Sequence, residues 1–426
     1  MSAFSSLDVK KINAGGILAF EASTVQADLK TNLAANDAAV VNEGLVAIKT
    51  LCEGVDQWIE PYTVIHLPLI MDAFANPKTA DAALAAGNAI LHKSSANSIR
   101  TVTSLIYEAF TSMKWQTKKG ALVLLGALAS HHPVVVQRNL PEMILKLIDM
   151  SSDVKKEVKE QCKIAFTELC GTIQNVDVIP IIPKVIIGYM DPVKQTEAAL
   201  DALIATTFIN DVDVPTLGLL VPILTKGMRE RKVVIKRRAA LVIGNMCKLV
   251  NDPRTAAQFN PILKPVLERG IDEIAVDEVR KVCQDSLNTL SKVAAEAAVL
   301  SDAVFSLEQL KESINGSLAK NGAADPSKFA IVVEFMAKSL HFLVLADTRA
   351  KEEWEACIVP YIKAIVGEAN ATKVFEEVTA AGTAALSAEK ADPEDEEEDL
   401  CNAQFSLAYD TRVLLHQTPL RVKIGR

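Results

Sequence analysis

PLIMDAFAN, at residues 68–76, returns in variant form as PEMILKLID (141–149), PKVIIGYMD (183–191), PILTKGMRE (222–230) and PVLERGIDE (265–273). Each segment opens with proline, carries an apolar stripe and reaches a polar or acidic residue eight positions later. SLIYEAFTS (104–112) fits the same frame with serine in place of proline, so the spacings are 36, 37, 42, 39 and 43 residues. A supersecondary unit that recurs at a nearly fixed period predicts stacked repeats, each in contact only with its neighbours.

The segments between the proline phrases are rich in alanine and leucine, with apolar residues at helical spacing. Examples are TADAALAAGNAILHKS, TKKGALVLLGALASH, VKEQCKIAFTELCGT, TEAALDALIATTFI and IKRRAALVIGNMCKLV. A period near 40 residues with two helices per unit is typical of HEAT repeats. We therefore predict an all-α fold with an N-terminal cap at 1–36 and a HEAT-repeat α-solenoid at 37–298, each proline standing at or near the first turn of its helix.

Beyond residue 300 the period is lost and four helical stretches follow, at about 303–318, 327–345, 349–367 and 371–386. Their short connections predict antiparallel neighbours, and hence a four-helix bundle at 299–387. The acidic run EKADPEDEEED (389–399) predicts a solvated linker over 388–400. Phe405, Leu407 and Tyr409 then alternate with polar or small residues, and two more short strands are suggested after them. We interpret 401–426 as the truncated start of a further domain.

Composition narrows the functional classes. Of the 426 residues, 50% are hydrophobic, the seven cysteines form no CxxC pair, and the six histidines show no metal spacing. No secretory signal or membrane-length apolar run is present, so we expect a cytoplasmic monomer without a membrane partner, with reduced cysteines in its core. GxSxG, HExxH, GxGxxG and GxxxxGK[ST] do not occur. We predict no catalytic, cofactor or metal site in this chain.

A basic cluster is the strongest chemical signal. KGMRERKVVIKRR (226–238) holds seven basic residues and one acid in a chain whose net charge is −8. Lys118 and Lys119, and Lys155, Lys156 and Lys159, stand near corresponding helix starts of earlier units, so stacking would align these cations into a ridge suited to phosphate backbones. The alternative is that solvated helix surfaces simply carry lysine and arginine. The tryptophans are isolated, at 58, 115 and 354, and are expected in or beside cores; backbone or shape recognition of structured RNA is therefore favoured over base stacking.

Several segments resemble the fungal-type translation elongation factor 3 family. They are WQTKKGALVLLGAL (115–128), DVKKEVK (153–159), ATTFINDV (205–212), VPILTKGMRERKVVIKRRAALVIGNMCKLVNDP (221–253) and EEDLCNAQFSLAYDTRVLLHQTPLRVK (397–423). The order of regions is similar too: HEAT repeats, a four-helix bundle, an acidic stretch and the first strands of an ATP-binding-cassette domain.

The resemblance implies a ribosome-binding factor that hydrolyses ATP through two cassette domains and promotes release of deacylated tRNA from the exit site. No Walker A loop precedes Arg426, so we predict that this chain alone is not an ATPase and holds no ATP. The resemblance implies that this chain is the part of such a factor that docks on the ribosome, through contacts with ribosomal RNA and ribosomal proteins. The predicted phosphate contacts are Arg229, Arg231, Lys232, Lys236, Arg237 and Arg238. A HEAT-repeat scaffold that binds proteins unrelated to the ribosome remains the alternative.

Overall fold

A computed structural model describes residue 4 and residues 7–206, 208–250, 253–298, 306–323, 325–345, 348, 350–383, 399–409 and 412–423. The first helices are α1 (Val9–Glu21), α2 (Val25–Leu33), α3 (Ala38–Gly54), α4 (Glu60–Val64), α5 (Leu67–Ala73), α6 (Ala80–Lys93), α7 (Ile99–Ala109) and α8 (Trp115–His131). Those that follow are α9 (Pro133–Ser151), α10 (Lys156–Cys170), α11 (Ile182–Met190), α12 (Thr196–Ile204), α13 (Val214–Met228), α14 (Val233–Lys248), α15 (Pro253–Ala257), α16 (Asn260–Glu273) and α17 (Asp277–Ala298). The last are α18 (Leu307–Lys320), α19 (Ala330–Leu345), α20 (Lys351–Val366) and α21 (Glu368–Thr383).

The chain divides into two compact units. Unit 1 comprises Met1–Val135, Lys155–Gln161 and Ala303–Ser387, and unit 2 comprises Val136–Val154, Cys162–Asp302 and Ala388–Arg426. Helices α18 to α21 thus belong to the same unit as the N-terminal repeats, although they follow the last repeat in sequence. The linear boundaries expected from sequence, at 37–298 and 299–387, stay predictions, since the compact units divide the chain differently.

The prediction of a helical repeat is confirmed. Each alanine- and leucine-rich segment forms the second helix of a pair, as in α6, α8, α12 and α14. Second helices of successive repeats pack on one another, α3 on α6 and α6 on α8 in unit 1, and α12 on α14 and α14 on α17 in unit 2. Gly87 in α6 permits one such approach, because a Cβ there would lie 2.6 Å from the side chain of Leu124 in α8.

The expected position of the repeated prolines is wrong for three helices. Pro68 and Pro183 do stand in the first turns of α5 and α11, but Pro141, Pro222 and Pro265 lie inside α9, α13 and α16. These three helices begin earlier, at or next to another proline: Pro133, Pro215 and Pro261. An early proline loses no intrahelical hydrogen bond, whereas an interior proline removes one bond and bends the helix.

Side-chain amides join successive repeats at equivalent positions. In unit 1, Asn13 Nδ2 donates to Gly54 O at 2.9 Å and Gln57 Nε2 donates to Lys93 O at 2.8 Å. In unit 2, Gln137 donates to Thr172 O, and Asn175 Nδ2 donates to Asp211 O at 3.1 Å. The partners are 35 to 41 residues apart, which is one repeat. Each bond satisfies a backbone carbonyl at or beyond the C-terminal end of a helix, about one repeat further along the chain, and so helps to fix how the repeats stack.

Asn97 departs from this pattern, since its amide donates to Glu353 O in α20 at 3.1 Å. Beside it the Arg100 guanidinium lies 5.1 Å from the centre of the Phe342 ring in α19. Helices α19 and α20 therefore pack on the N-terminal repeats of unit 1, and the four helices α18 to α21 do not stand apart as a separate layer. They also contact one another, through α18 with α19 and α21, and α20 with α19 and α21.

The carboxyl of Glu60 lies at the centre of this packing and is fully buried. It accepts hydrogen bonds from Ser98 Oγ at 2.5 Å, Ser95 N at 2.8 Å and Gln57 Nε2 at 2.5 Å. Tyr361 Oη in α20 donates at 2.5 Å to Oε2, the oxygen that also accepts from Gln57, whereas Ser95 and Ser98 donate to Oε1. Burial raises the pKa of Glu60 above its ordinary value, and the hydrogen bonds offset part of that rise.

Six cysteines have described side chains, and all six are buried and free: Cys52, Cys162, Cys170, Cys247, Cys283 and Cys357. Burial raises the pKa of the Cys162, Cys170 and Cys247 thiols to about 12. These thiols are protonated at neutral pH and act as small apolar groups in the core.

Two antiparallel strands, β1 (Asp399–Tyr409) and β2 (Arg412–Lys423), form a hairpin near the end of the chain. Whether they open a cassette domain stays a prediction. The acidic run expected to be a linker lies mostly outside the described residues. Within the described part of the chain, no helix combines the length and apolar character needed to span a bilayer.

Candidate nucleic-acid interface

The six cations singled out in the sequence are gathered at the start of α14. Arg229, Arg231 and Lys232 lie in the turn that joins α13 to α14, and Lys232 is the residue that caps α14. Lys236, Arg237 and Arg238 occupy the second turn of that helix. All six belong to unit 2, so a single local structure presents them.

Three of these cations face carboxylates of the neighbouring repeats. Lys232 donates to Glu197 in α12, and Arg238 Nη1 lies 3.9 Å from Asp201 Oδ1 in the same helix. Arg237 Nη2 pairs with Glu278 Oε1 in α17 at 2.8 Å. The partners are about one repeat apart, so equivalent helix starts do lie side by side in unit 2. The flanking helix starts, however, carry acids.

All of these ion pairs are exposed to water. The side chains of Lys232, Arg237 and Arg238 are 62%, 37% and 47% exposed, and their partners are at least 52% exposed. Exposed pairs contribute about 0–1 kcal/mol each, because water screens the attraction and the side chains lose entropy. A polyanion that binds these cations must break the ion pairs, and breaking them therefore costs the folded protein little stability.

The other three cations, Arg229, Arg231 and Lys236, have no carboxylate within salt-bridge distance among the residues that the structure describes. Arg229 and Arg231 are exposed and Lys236 is half-buried. Positive charge thus remains unneutralised at the tip of the turn and on the second turn of α14.

The start of α14 is also an unusual place for cations. The first turns of a helix carry a partial positive charge, which cations oppose and anions complement. No acidic residue lies in the first turn of α14, and no side chain caps its free backbone N–H groups. Cations, unpaired N–H groups and the helix dipole therefore all favour an anion at this position.

Sequence reasoning found the cations but missed the acids that flank them. The signal was present, because Glu197 and Asp201 precede Lys232 and Arg238 by 35 and 37 residues, and Glu278 follows Arg237 by 41. The lysines at 118–119 and 155–159 lie in unit 1, so their alignment with the start of α14 stays a prediction. Where side chains are described, no three His, Cys, Asp or Glu residues are grouped as a metal site requires.

Two family models match the chain. The model described as "EF3 N-terminal HEAT repeat" matches residues 5–166, and that described as "Elongation factor 3/GNC1 HEAT repeat" matches residues 195–301. Together they match part of each unit and include the whole of α14.

Curated relatives extend the match. The chain is 32% identical to elongation factor 3 of Gonapodya prolifera, over 98% of this chain and 39% of that protein. It is 33% identical to elongation factor 3B of Saccharomyces cerevisiae, over 86% of this chain and 36% of that protein. The chain thus spans about two fifths of the length of these relatives. Among solved structures, Kap121p aligns with 84% of this chain and 37% of its own at 13% identity, and the TM-score of 0.38 is too low to carry an argument.

Proposed function

The chain belongs to the elongation factor 3 family, and on that premise we propose that it is the ribosome-docking part of a translation elongation factor. The cations at the start of α14 contact phosphates of ribosomal RNA. The observation that carries the proposal is that Arg229, Arg231 and Lys236 lack carboxylate partners among the described residues, at a helix start that favours anions.

Phosphate contacts suit this surface better than base contacts. Arginine and lysine bind phosphate oxygens through charge-assisted hydrogen bonds, and each contact releases condensed counterions. The basic cluster at residues 226–238 contains no aromatic residue, so it offers no ring on which a base could stack. Recognition at α14 therefore depends on the backbone and shape of a folded RNA.

The wider role follows from the family. In the full-length protein, ATP hydrolysis by cassette domains promotes release of tRNA from the exit site, and the repeats hold the factor on ribosomal RNA and ribosomal proteins. The protein works in the cytoplasm, where translation takes place. The matched models cover HEAT repeats, so docking is the part of this role that we assign to the residues described above.

Binding of purified ribosomes by the 1–426 chain tests the proposal. We expect co-sedimentation that weakens steeply as salt rises, because phosphate contacts release counterions. Arg229→Ala combined with Arg231→Ala should lower the slope of log K against log salt by roughly 1.5, or about 0.7–0.9 for each phosphate that no longer meets a cation.

Binding that does not respond to salt would contradict phosphate contacts. A protein-binding scaffold unrelated to the ribosome would be favoured if the chain failed to sediment with ribosomes at low salt while its helical content stayed intact.

A further inference from the structure

A second regularity recurs at the turns that precede the second helices. An exposed apolar residue is followed directly by lysine in four successive repeats: Pro77–Lys78, Met113–Lys114, Val154–Lys155 and Val193–Lys194. The spacings are 36, 41 and 39 residues. Met113, Val154 and Val193 are 100%, 95% and 92% exposed, more than any other large apolar side chain that the structure describes.

Helix capping does not explain these apolar residues. An apolar residue just before the N-cap often packs on the fourth residue of the helix. In α8 the N-cap is Lys114 and the fourth residue is Lys118, so Met113 has no apolar partner at that position, and it is fully exposed. Single exposed apolar residues are ordinary, but their recurrence at the same place in four successive repeats indicates a partner outside the chain.

Two of these turns lie at the same edge of unit 1. Thr117 Oγ1, near the start of α8, donates to Asp72 Oδ1 in α5 at 3.5 Å. The Phe74 ring lies so close to Gly120 in α8 that a Cβ there would be 2.3 Å from it. The turn with Pro77 and the turn with Met113 are therefore adjacent, and we call residues 76–78 and 112–115 the turn edge of unit 1.

The turn edge has the composition of a protein interface. Trp115 is half-buried, whereas the other two tryptophans are buried, and it follows Met113 by two residues. Aromatic residues and methionine are enriched in interface centres, and tryptophan is common among residues that dominate binding energy. Three exposed lysines, Lys78, Lys114 and Lys119, lie in or near the turn edge. Two exposed acids, Asp72 and Asp81, lie nearby and offset part of this positive charge.

We infer that the turn edge of unit 1 docks a protein segment that carries both acidic and apolar side chains. The lysines complement its carboxylates, while Pro77, Met113 and Trp115 remove its apolar side chains from water. RNA fits less well, because Pro77 and Met113 neither stack on bases nor bind phosphates, which leaves Trp115 as the one ring among residues 76–78 and 112–115 that could stack a base. The turn edge shares no residue with the start of α14, so this inference stands apart from the proposed RNA contact.

Selection from a displayed library of random peptides about 16 residues long, against the purified 1–426 chain, tests the inference. We expect enrichment of peptides that combine Asp or Glu with Leu, Ile or Phe. Their affinity should fall about tenfold on Met113→Ser, a loss typical of a residue at the centre of an interface. Val46→Ser is the matched control, since Val46 is a 58% exposed apolar residue in α3 of the same unit, and it should leave the affinity unchanged.

Tryptophan emission gives an independent readout. An enriched peptide should shift the emission of the wild-type chain, because it covers the half-buried Trp115, and Trp115→Phe should abolish the shift. The inference is overturned if no peptide family is enriched, if enriched peptides bind Met113→Ser as well as wild type, or if they are basic. It is also overturned if Met113→Ser weakens binding of a 20-nucleotide RNA hairpin or abolishes self-association of the chain, since RNA or a second copy would then occupy the edge.

Discussion

Replacing Glu60 by alanine is expected to lower the free energy of unfolding by roughly 4 kcal/mol. The substitution removes the acceptor shared by Gln57, Ser95, Ser98 and Tyr361, and leaves a cavity where the carboxyl was. Each buried donor left unpaired costs about 1–3 kcal/mol, and the cavity adds to that cost. Chemical denaturation followed by circular dichroism measures the change.

Local hydrogen exchange identifies where the stability is lost. Exchange should quicken first in α20 and around residues 95–100, because Glu60 joins these segments within unit 1. Tyr361→Phe removes one donor while it keeps the ring, so it should cost only about 1 kcal/mol. If Glu60→Ala and Tyr361→Phe lowered the free energy of unfolding equally, the carboxyl of Glu60 would not be the shared acceptor on which this packing depends.

The pH dependence of Glu60→Gln provides a separate prediction. Burial raises the pKa of Glu60 in the folded state above 4.5, so the folded protein holds this proton more tightly than the unfolded chain does. The contribution of protonated Glu60 to the free energy of unfolding is fully present below pH 4.5. It is lost as the pH rises through the raised pKa of the folded state. Wild type should therefore lose stability relative to Glu60→Gln as the pH rises above 4.5 and through the raised pKa of Glu60. Parallel stability curves for the two proteins would show that the pKa of Glu60 is not raised.

The repeats could be predicted from the sequence because their signal is periodic. The helical spacing of apolar residues predicts the alanine- and leucine-rich second helices, and the structure has helices where that spacing occurs. The interior prolines misled the prediction of helix starts, because Pro141 and Pro222 match a first-turn pattern that Pro133 and Pro215 satisfy. Two prolines within one helical segment cannot be ranked by sequence alone.

The buried contact of Glu60 with Tyr361 could not be predicted. The two residues are 301 positions apart in the sequence. Tyr361 lies in a helix beyond the repeats, and no periodic pattern in the sequence links that helix to the repeat that contains Glu60. A glutamate beside Pro61 reads as a first-turn residue on a solvated surface. Only tertiary packing reveals that Ser95, Ser98 and Gln57 surround it. The candidate site at α14 could be predicted in part. Its cations were identified from the sequence, and the acids that flank them also stand at one-repeat spacing in the sequence but were missed.

Reversing the three cations that lack carboxylate partners should weaken ribosome binding about 100-fold near physiological salt. The variant combines Arg229→Glu, Arg231→Glu and Lys236→Glu. It removes three proposed phosphate contacts and places three anions where a helix start had favoured phosphate. Salt-dependent co-sedimentation measures the loss, and an unchanged helical signal in circular dichroism shows that the chain is folded.

A matched reversal separates a site from general electrostatics. Lys163→Glu, Lys184→Glu and Lys292→Glu alter the net charge equally, at three exposed lysines of unit 2 outside α13 and α14. A long-range field would weaken binding similarly in both variants, because it depends on net charge and is screened alike. Direct contacts at α14 require the first variant to bind far more weakly than the second. Similar affinities for the two variants would therefore reassign the basic cluster to a solvated surface, whatever the affinity of the wild-type chain for ribosomes.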